Sequence, residues 1–307
     1  MKKFFIIFFF ISSFLSSFSC EEVLYKDEMK KLIYEIRLRA KDKIIITQNG
    51  TDIYFKNNEI DEDFFKYTDG VSQESLFYGE SGVLGKKTSK KEKNYLLQNL
   101  IELKKRGKVV FNVNYSKNKL NRKKIRKENE KYNFIGEEIV SYTADRFNIP
   151  INNFNKNNIF SLEDAKNFLY LLNPHKFKNI DEYFRALSGT DYDVLIIEPS
   201  VNGKFFTKEQ ISKLKYKSTG ERRLVISYFS IGESEDYRYY WKKSWNKKFP
   251  NWIKKENENW KGNYIVEYWN KEWKKIIIDY QKKLDFINVD GYYLDTIDSY
   301  YYFENKR

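Results

Sequence analysis

Residues 223–236 read RLVISYFSIGESED. The first six are a short, nearly unbroken apolar run, and the tail that follows turns polar and acidic. Such a run, without alternation between apolar and polar positions, marks a strand buried on both faces in a parallel sheet. Seven other stretches repeat the pattern. They are 43–47 (KIIIT) before Gln48, Asn49 and Gly50; 70–73 (GVSQ) before Glu74; 108–113 (KVVFNV) before Asn114 and Tyr115; and 138–142 (EIVSY) before Asp145. Further on come 167–172 (NFLYLL), 193–197 (DVLII) before Glu198, and 291–294 (GYYL) before Asp295. Amphipathic stretches at 27–40, 92–106, 119–131, 180–187, 208–217 and 271–286 separate most of them, and Gly107 stops one helix just before its strand. Eight strands alternating with helices predict an α/β fold, a (β/α)8 TIM barrel formed by residues 21–307 as one domain.

In a barrel of this kind the carboxyl ends of all strands meet at one rim, which would gather Gln48, Asn49, Glu74, Asn114, Asp145, Glu198, Glu233, Asp236, Asp295 and Asp298. Several carboxylates in one mouth repel, which raises some of their pKa values toward neutrality. The 307 residues include one His and one Cys, which excludes a disulfide framework and a His/Cys zinc cluster and leaves His175 as the sole imidazole for any nucleophilic triad. His175 follows Asn173-Pro174 in a turn-like context, as a surface or rim histidine would. Carboxylates are the chemistry that remains, and no cofactor or metal is expected.

Residues 1–20 (MKKFFIIFFFISSFLSSFSC) have a basic start, a short apolar run and a small-residue end, the layout of a signal peptide. Cys20 closes it, as in a lipoprotein signal whose Cys would be lipidated, although Ser17 stands where Leu is usual; cleavage after Ser19 is the other reading. Either predicts an exported chain, a cell-envelope lipoprotein or a secreted protein, touching membrane only through a lipid on Cys20. Loss of Lys2 and Lys3 lowers the formal charge of +13 by two. Export makes nucleic acid an unsuitable partner, and the basic run 117–131 (KNKLNRKKIRKENEK), lacking interleaved aromatics, reads as a solvated helix face. A monomer is expected.

All six Trp residues, Trp241, Trp245, Trp252, Trp260, Trp269 and Trp273, fall within residues 241–273. That span is long for a loop between strand and helix and predicts an insertion over the rim. Trp241 with Trp245 and Trp269 with Trp273 are spaced to share helix faces, while indole faces also suit sugar rings.

Residues 228–240 (YFSIGESEDYRYY), 263–273 (NYIVEYWNKEW), 290–298 (DGYYLDTID) with Tyr302, Phe303 and Glu304, 48–50 (QNG) and 69–78 (DGVSQESLFY) together resemble glycoside hydrolase family 114, the endo-α-1,4-polygalactosaminidase-like TIM barrels. In that family the first and third of these blocks precede the QNG and ESLFY blocks; here they follow. The resemblance therefore implies a circular permutant whose strands run five to eight and then one to four, with the Asn-rich residues 148–158 joining the old ends.

The resemblance implies a hydrolase of an α-linked amino-sugar polysaccharide, with Asp295 and Glu74 as the catalytic pair, one to protonate the leaving oxygen and one as nucleophile or base. Which carboxylate takes which role stays open, as does retention or inversion. It further implies that Asp298, Glu233, Asp236, Arg238, Gln48, Asn49, Tyr78, Tyr228 and Trp269 bind sugar or tune the pair. Asn114 and Glu198 depart from the family, which often has an acid at the first position and Asp at the second. A non-catalytic surface lipoprotein that binds glycan through the same rim is the rival reading.

Overall fold

A computed structural model describes residues 24–147 and 150–304. The leader 1–20 with Cys20, and residues 148 and 149 of the expected join, lie outside them. Along the chain run strands β1 (Ile44–Gln48), β2 (Gly70–Glu74), β3 (Val109–Tyr115), β4 (Ile135–Ile139), β5 (Phe168–Leu171), β6 (Val194–Ile197), β7 (Leu224–Ser230), β8 (Glu233–Glu235), β9 (Ile253–Asn257), β10 (Trp260–Val266) and β11 (Gly291–Asp295). The main helices are α1 (Tyr25–Ala40), α2 (Lys90–Lys105), α3 (Lys119–Tyr132), α4 (Ile180–Ser188), α5 (Lys208–Leu214), α6 (Lys271–Ile287) and α7 (Tyr300–Glu304).

Eight strands form one parallel sheet in the order β4-β3-β2-β1-β11-β7-β6-β5. The ends β4 and β5 approach each other without a hydrogen-bonded ladder, so the barrel is nearly closed. The strands nearest the two ends of the chain are partners: Ile44 pairs with Gly291 and Thr47 with Leu294. Gly291 is required there, because a Cβ would come within 2.3 Å of the Ile44 carbonyl oxygen.

The continuous apolar runs resolve into two cores by the alternation of strand side chains. Ile46, Phe111, Val113, Phe168, Val194, Ile196 and Ile226 fill the barrel, while Ile45, Val71, Val110, Leu169, Leu195, Val225 and Leu294 face the helices. Helix starts follow the side-chain caps that the sequence supplies: Ser89, Asn118, Asn179, Thr207 and Asn270 each accept from a backbone N–H of the first turn. Asn133 and Asn288 close α3 and α6 in the left-handed conformation. Seven of the twelve non-glycine residues at positive φ among the described ones are Asn, so the asparagine-rich composition does conformational work here that glycine does elsewhere.

Seven strands lie where the apolar runs predict them, and one is displaced. The expected strand 138–142 is β4, Ile135–Ile139, because its buried positions include two carboxylates, Glu137 on the barrel side with Val113 and Glu138 on the helix side, which the apolar reading passes over. Glu138 is satisfied by Arg126 at 2.7 Å and by the Asn152 amide at 3.1 Å. Tyr142 thereby moves out of the strand into the loop above the mouth. The linker-like segment is tied down: Asn155 donates to Asp193, and Lys217, fully buried with Asp193 at 2.6 Å, also donates to the carbonyls of Asn155 and Asn157.

The Trp-rich insertion forms a three-stranded antiparallel sheet in the order β8-β10-β9. Trp241, Trp245, Trp252 and Trp273 pack in succession, edge to face in the first two pairs and tilted in the third, at centroid distances of 5.3, 5.3 and 5.5 Å.

Candidate active site

Glu74 ends β2 and Asp295 ends β11, with β1 between them. Two strand spacings separate their backbones, on the order of 10 Å, and both side chains incline into the mouth, where the Glu74 charge acts on Asp295.

The Glu74 carboxylate accepts from three donors. Tyr115 and Tyr170 give their hydroxyls to Oε1, the latter at 3.1 Å, and Asn49 gives its amide to Oε2 at 3.2 Å. The same Asn49 accepts from the Glu74 backbone N–H and from Gln73 Nε2, both at 3.0 Å. Asn49 therefore fixes backbone and side chain of Glu74 together, helped by its own positive φ of 58°. Gly50 follows, also at positive φ, and a Cβ there would press on Asp298 at 3.3 Å. Gln48, fully buried, accepts from the Tyr293 hydroxyl, which shares a second hydrogen bond of 2.8 Å with the Ser72 hydroxyl; Gln48 Nε2 has no partner among the described residues.

Asp295 accepts from the Thr296 N–H at 2.8 Å and from the Tyr228 hydroxyl. Removal from water, and then the Glu74 charge with Asp298 behind it, push its carboxyl well above the ordinary range against those two hydrogen bonds. Asp298 is pushed up to about 6 by burial, with Glu74 and Asp52 adding repulsion. Glu233 is pushed up to about 7, first by burial and further by Asp298 and Glu235, against hydrogen bonds from Asn257, to Oε1 at 2.8 Å, and from Asn263. Burial and mutual repulsion thus raise three carboxyl groups at the mouth, Asp295, Asp298 and Glu233, above their ordinary range. Glu74 and Asp298 border a groove of about 490 Å³ together with Asn49, Glu80, Tyr142 and Tyr301.

Residues 153–307, just over half of the chain, match the sequence profile of glycoside-hydrolase family GH114. The chain belongs to this family. An uncharacterised protein of Methanocaldococcus jannaschii is 36% identical to it over 152 residues, 48% of this chain and 42% of that protein. An uncharacterised protein of Thermotoga maritima is 36% identical over 121 residues, 39% of this chain and 37% of that protein. The matched part is about two fifths of the length of either relative.

Within this GH114 barrel the sequence-predicted residues divide. Gln48, Asn49, Glu74, Tyr228, Glu233, Asp295 and Asp298 gather at the mouth, where Asn49 positions Glu74. Arg238 is buried in a pocket of its own: its Nη1 meets Glu198 and its Nε meets Glu235, each at 2.6 Å, and it also donates to the Tyr280 hydroxyl. Those carboxylates hold its fork away from solvent. Tyr78 is buried and its N–H, with that of Phe77, donates to Asn114, so Asn114 clamps the loop after β2. Asp236 is exposed near Gly262. Trp269 lies against Tyr25, Tyr268 and Phe303, where the first and last helices meet. His175 is exposed beside Asp145, which pairs with Lys176 at 2.6 Å.

The sequence reading missed Tyr115, Tyr170 and Tyr293. With Tyr228 they form a ring of hydroxyls inside the barrel around the two carboxylates. Their signal was present: four barrel strands carry a Tyr at an inward position near the carboxyl end, in VNY, LYL, ISY and YYLD.

Proposed function

We propose that this GH114 chain is an exported hydrolase that cuts an α-linked amino-sugar polysaccharide, with Asp295 as the proton donor and Glu74 as nucleophile or base. The observation that carries the reading is the asymmetry of the pair. Asp295 sits where its proton is retained, and Glu74 sits where three donors make it an acceptor. Asp295 would pass its proton to the glycosidic oxygen as the bond to the anomeric carbon breaks. Glu74 would attack that carbon or take a proton from an attacking water, and the proton balance is restored on release of the sugar. Glu74, Glu80, Glu92 and Asp298 give the groove an acidic lining on a basic protein, which suits a polymer carrying ammonium groups.

The test is the release of reducing ends from an α-1,4-galactosamine polymer. Glu74→Gln and Asp295→Asn should each lose more than about a thousandfold in kcat, as expected when one member of an acid/base pair is removed. Undiminished turnover in Glu74→Gln would sink the assignment. The anomeric form of the first product, read by proton NMR, decides retention against inversion.

We also infer the permuted order. It is supported by the start of the family match at residue 153, inside the 148–158 join, by the missing ladder between β4 and β5 on either side of that join, and by the register of β1 with β11. Export, with lipid on Cys20 or cleavage after Ser19, is part of the proposal; mass spectrometry of the mature amino terminus separates the two.

A further inference from the structure

Five of the six tryptophans are accounted for by packing, and Trp260 is left over. It stands at the tip of the β9–β10 hairpin, 41% exposed, and among the described residues its one ring neighbour is Tyr142. The two rings are stacked, 5.6 Å between centroids and 12° between planes. Trp260 belongs to the insertion after β7 and Tyr142 to the loop after β4, so the contact joins two widely separated parts of the rim. Tyr142 in turn lies 4.5 Å from Tyr115, whose hydroxyl is on Glu74, and it borders the same groove. The hairpin is moored just before its tip by the Asn257 amide on Glu233. The roof and the carboxylates are thus connected at both ends.

We propose that Trp260 and Tyr142 form an aromatic clasp across the mouth and, when parted, hold a sugar ring of the polymer between their faces, next to the residue being cleaved. The inference rests on the hydrolase reading above. An exposed indole stacked on a single ring has little to hold it, since such pairs contribute only about 0.5–1.5 kcal/mol. Admitting a pyranose requires the rings to separate to roughly 7–8 Å, two van der Waals contacts in place of one. The exchange of one ring contact for two sugar contacts makes opening dependent on a ligand long enough to reach the clasp. Trp260 and Tyr142 would then set the preference for polymer over short fragments.

The experiment compares Trp260→Ala, Trp260→Phe and Tyr142→Ala. Binding of an α-1,4-galactosamine hexasaccharide is measured by calorimetry in the Glu74→Gln background, and kinetics on the polymer are measured in the parent. Trp260→Ala and Tyr142→Ala should each weaken hexasaccharide binding about threefold to tenfold and raise KM on the polymer by a similar factor, with a much smaller change in kcat. Trp260→Phe should recover most of the loss, and the ligand-induced change in indole emission should vanish only in Trp260 variants. A parent that binds and cleaves, with Kd and KM unmoved in both alanine variants, overturns the clasp alone. A parent that neither binds nor cleaves any chain of this chemistry overturns the hydrolase reading and the clasp with it.

Discussion

Glu233 offers a test of the electrostatics that needs no substrate. Glu233 is 5% exposed, and its carboxyl, although it accepts from Asn257 and Asn263, is raised by burial from its ordinary 4.5 to about 7. Each tenfold change in proton affinity is worth about 1.4 kcal/mol, so ionising it inside the fold costs on the order of 3 kcal/mol. The folded protein holds this proton more tightly than the unfolded chain does. The cost is therefore absent below about pH 4.5, develops as pH rises, and is complete above about 7. Glu233→Gln keeps the acceptor for Asn257 and removes the charge. Relative to the parent, it should gain about 3 kcal/mol between pH 4.5 and pH 8, or about 6 °C in melting temperature for a chain of this length. Thermal unfolding of both proteins across that pH range is the assay. Parallel curves for the two proteins would refute the claim that burial withholds Glu233 from ionisation.

Three further outcomes are expected. Because Asp295 holds its proton above the usual carboxylate range and the Tyr228 hydrogen bond opposes this, Tyr228→Phe should move the alkaline limb of kcat/KM to higher pH; an unmoved or lowered limb contradicts Asp295 as the acid. Lys217→Met leaves Asp193 buried without its partner and should cost about 3–5 kcal/mol in urea unfolding, with the loss concentrated at the foot of the barrel where hydrogen exchange of residues 155–167 would report it. A chain reopened between residues 150 and 158, with residue 304 joined to residue 24 by a short flexible linker, should fold with parent-like circular dichroism, since Tyr25 and Phe303 already lie 5.2 Å apart; failure to fold would count against the permuted order.

Much of the fold was legible because burial on both faces of a strand leaves a continuous apolar word, and helix starts carry their own caps. The strand at Ile135–Ile139 was misplaced for the converse reason: Glu138 is neutralised by Arg126 and Asn152, partners that no local pattern announces. The three-stranded sheet over the rim was legible only as an insertion, since its strands are short and half exposed.

The site divides along the same line. Glu74 and Asp295 stand out as polar residues at the ends of apolar runs, and their family blocks mark them in one dimension. Their unlike environments come from residues far away in sequence: Tyr170 donates to Glu74 across 96 positions, and Tyr293 to Gln48 across 245. Asn49 as a clamp on Glu74, Arg238 enclosed by two glutamates, and Trp260 set on Tyr142 are likewise facts of approach through space. By itself the sequence determined seven of the eight barrel strands, most of the helices between them and the placing of Glu74 and Asp295 at strand ends, because these follow from periodic burial along the chain. The tertiary structure alone decided that Asp295 holds its proton above the ordinary carboxylate range and that Glu74 is ringed by three donors, because desolvation and hydrogen bonding depend on distances between groups that folding brings together.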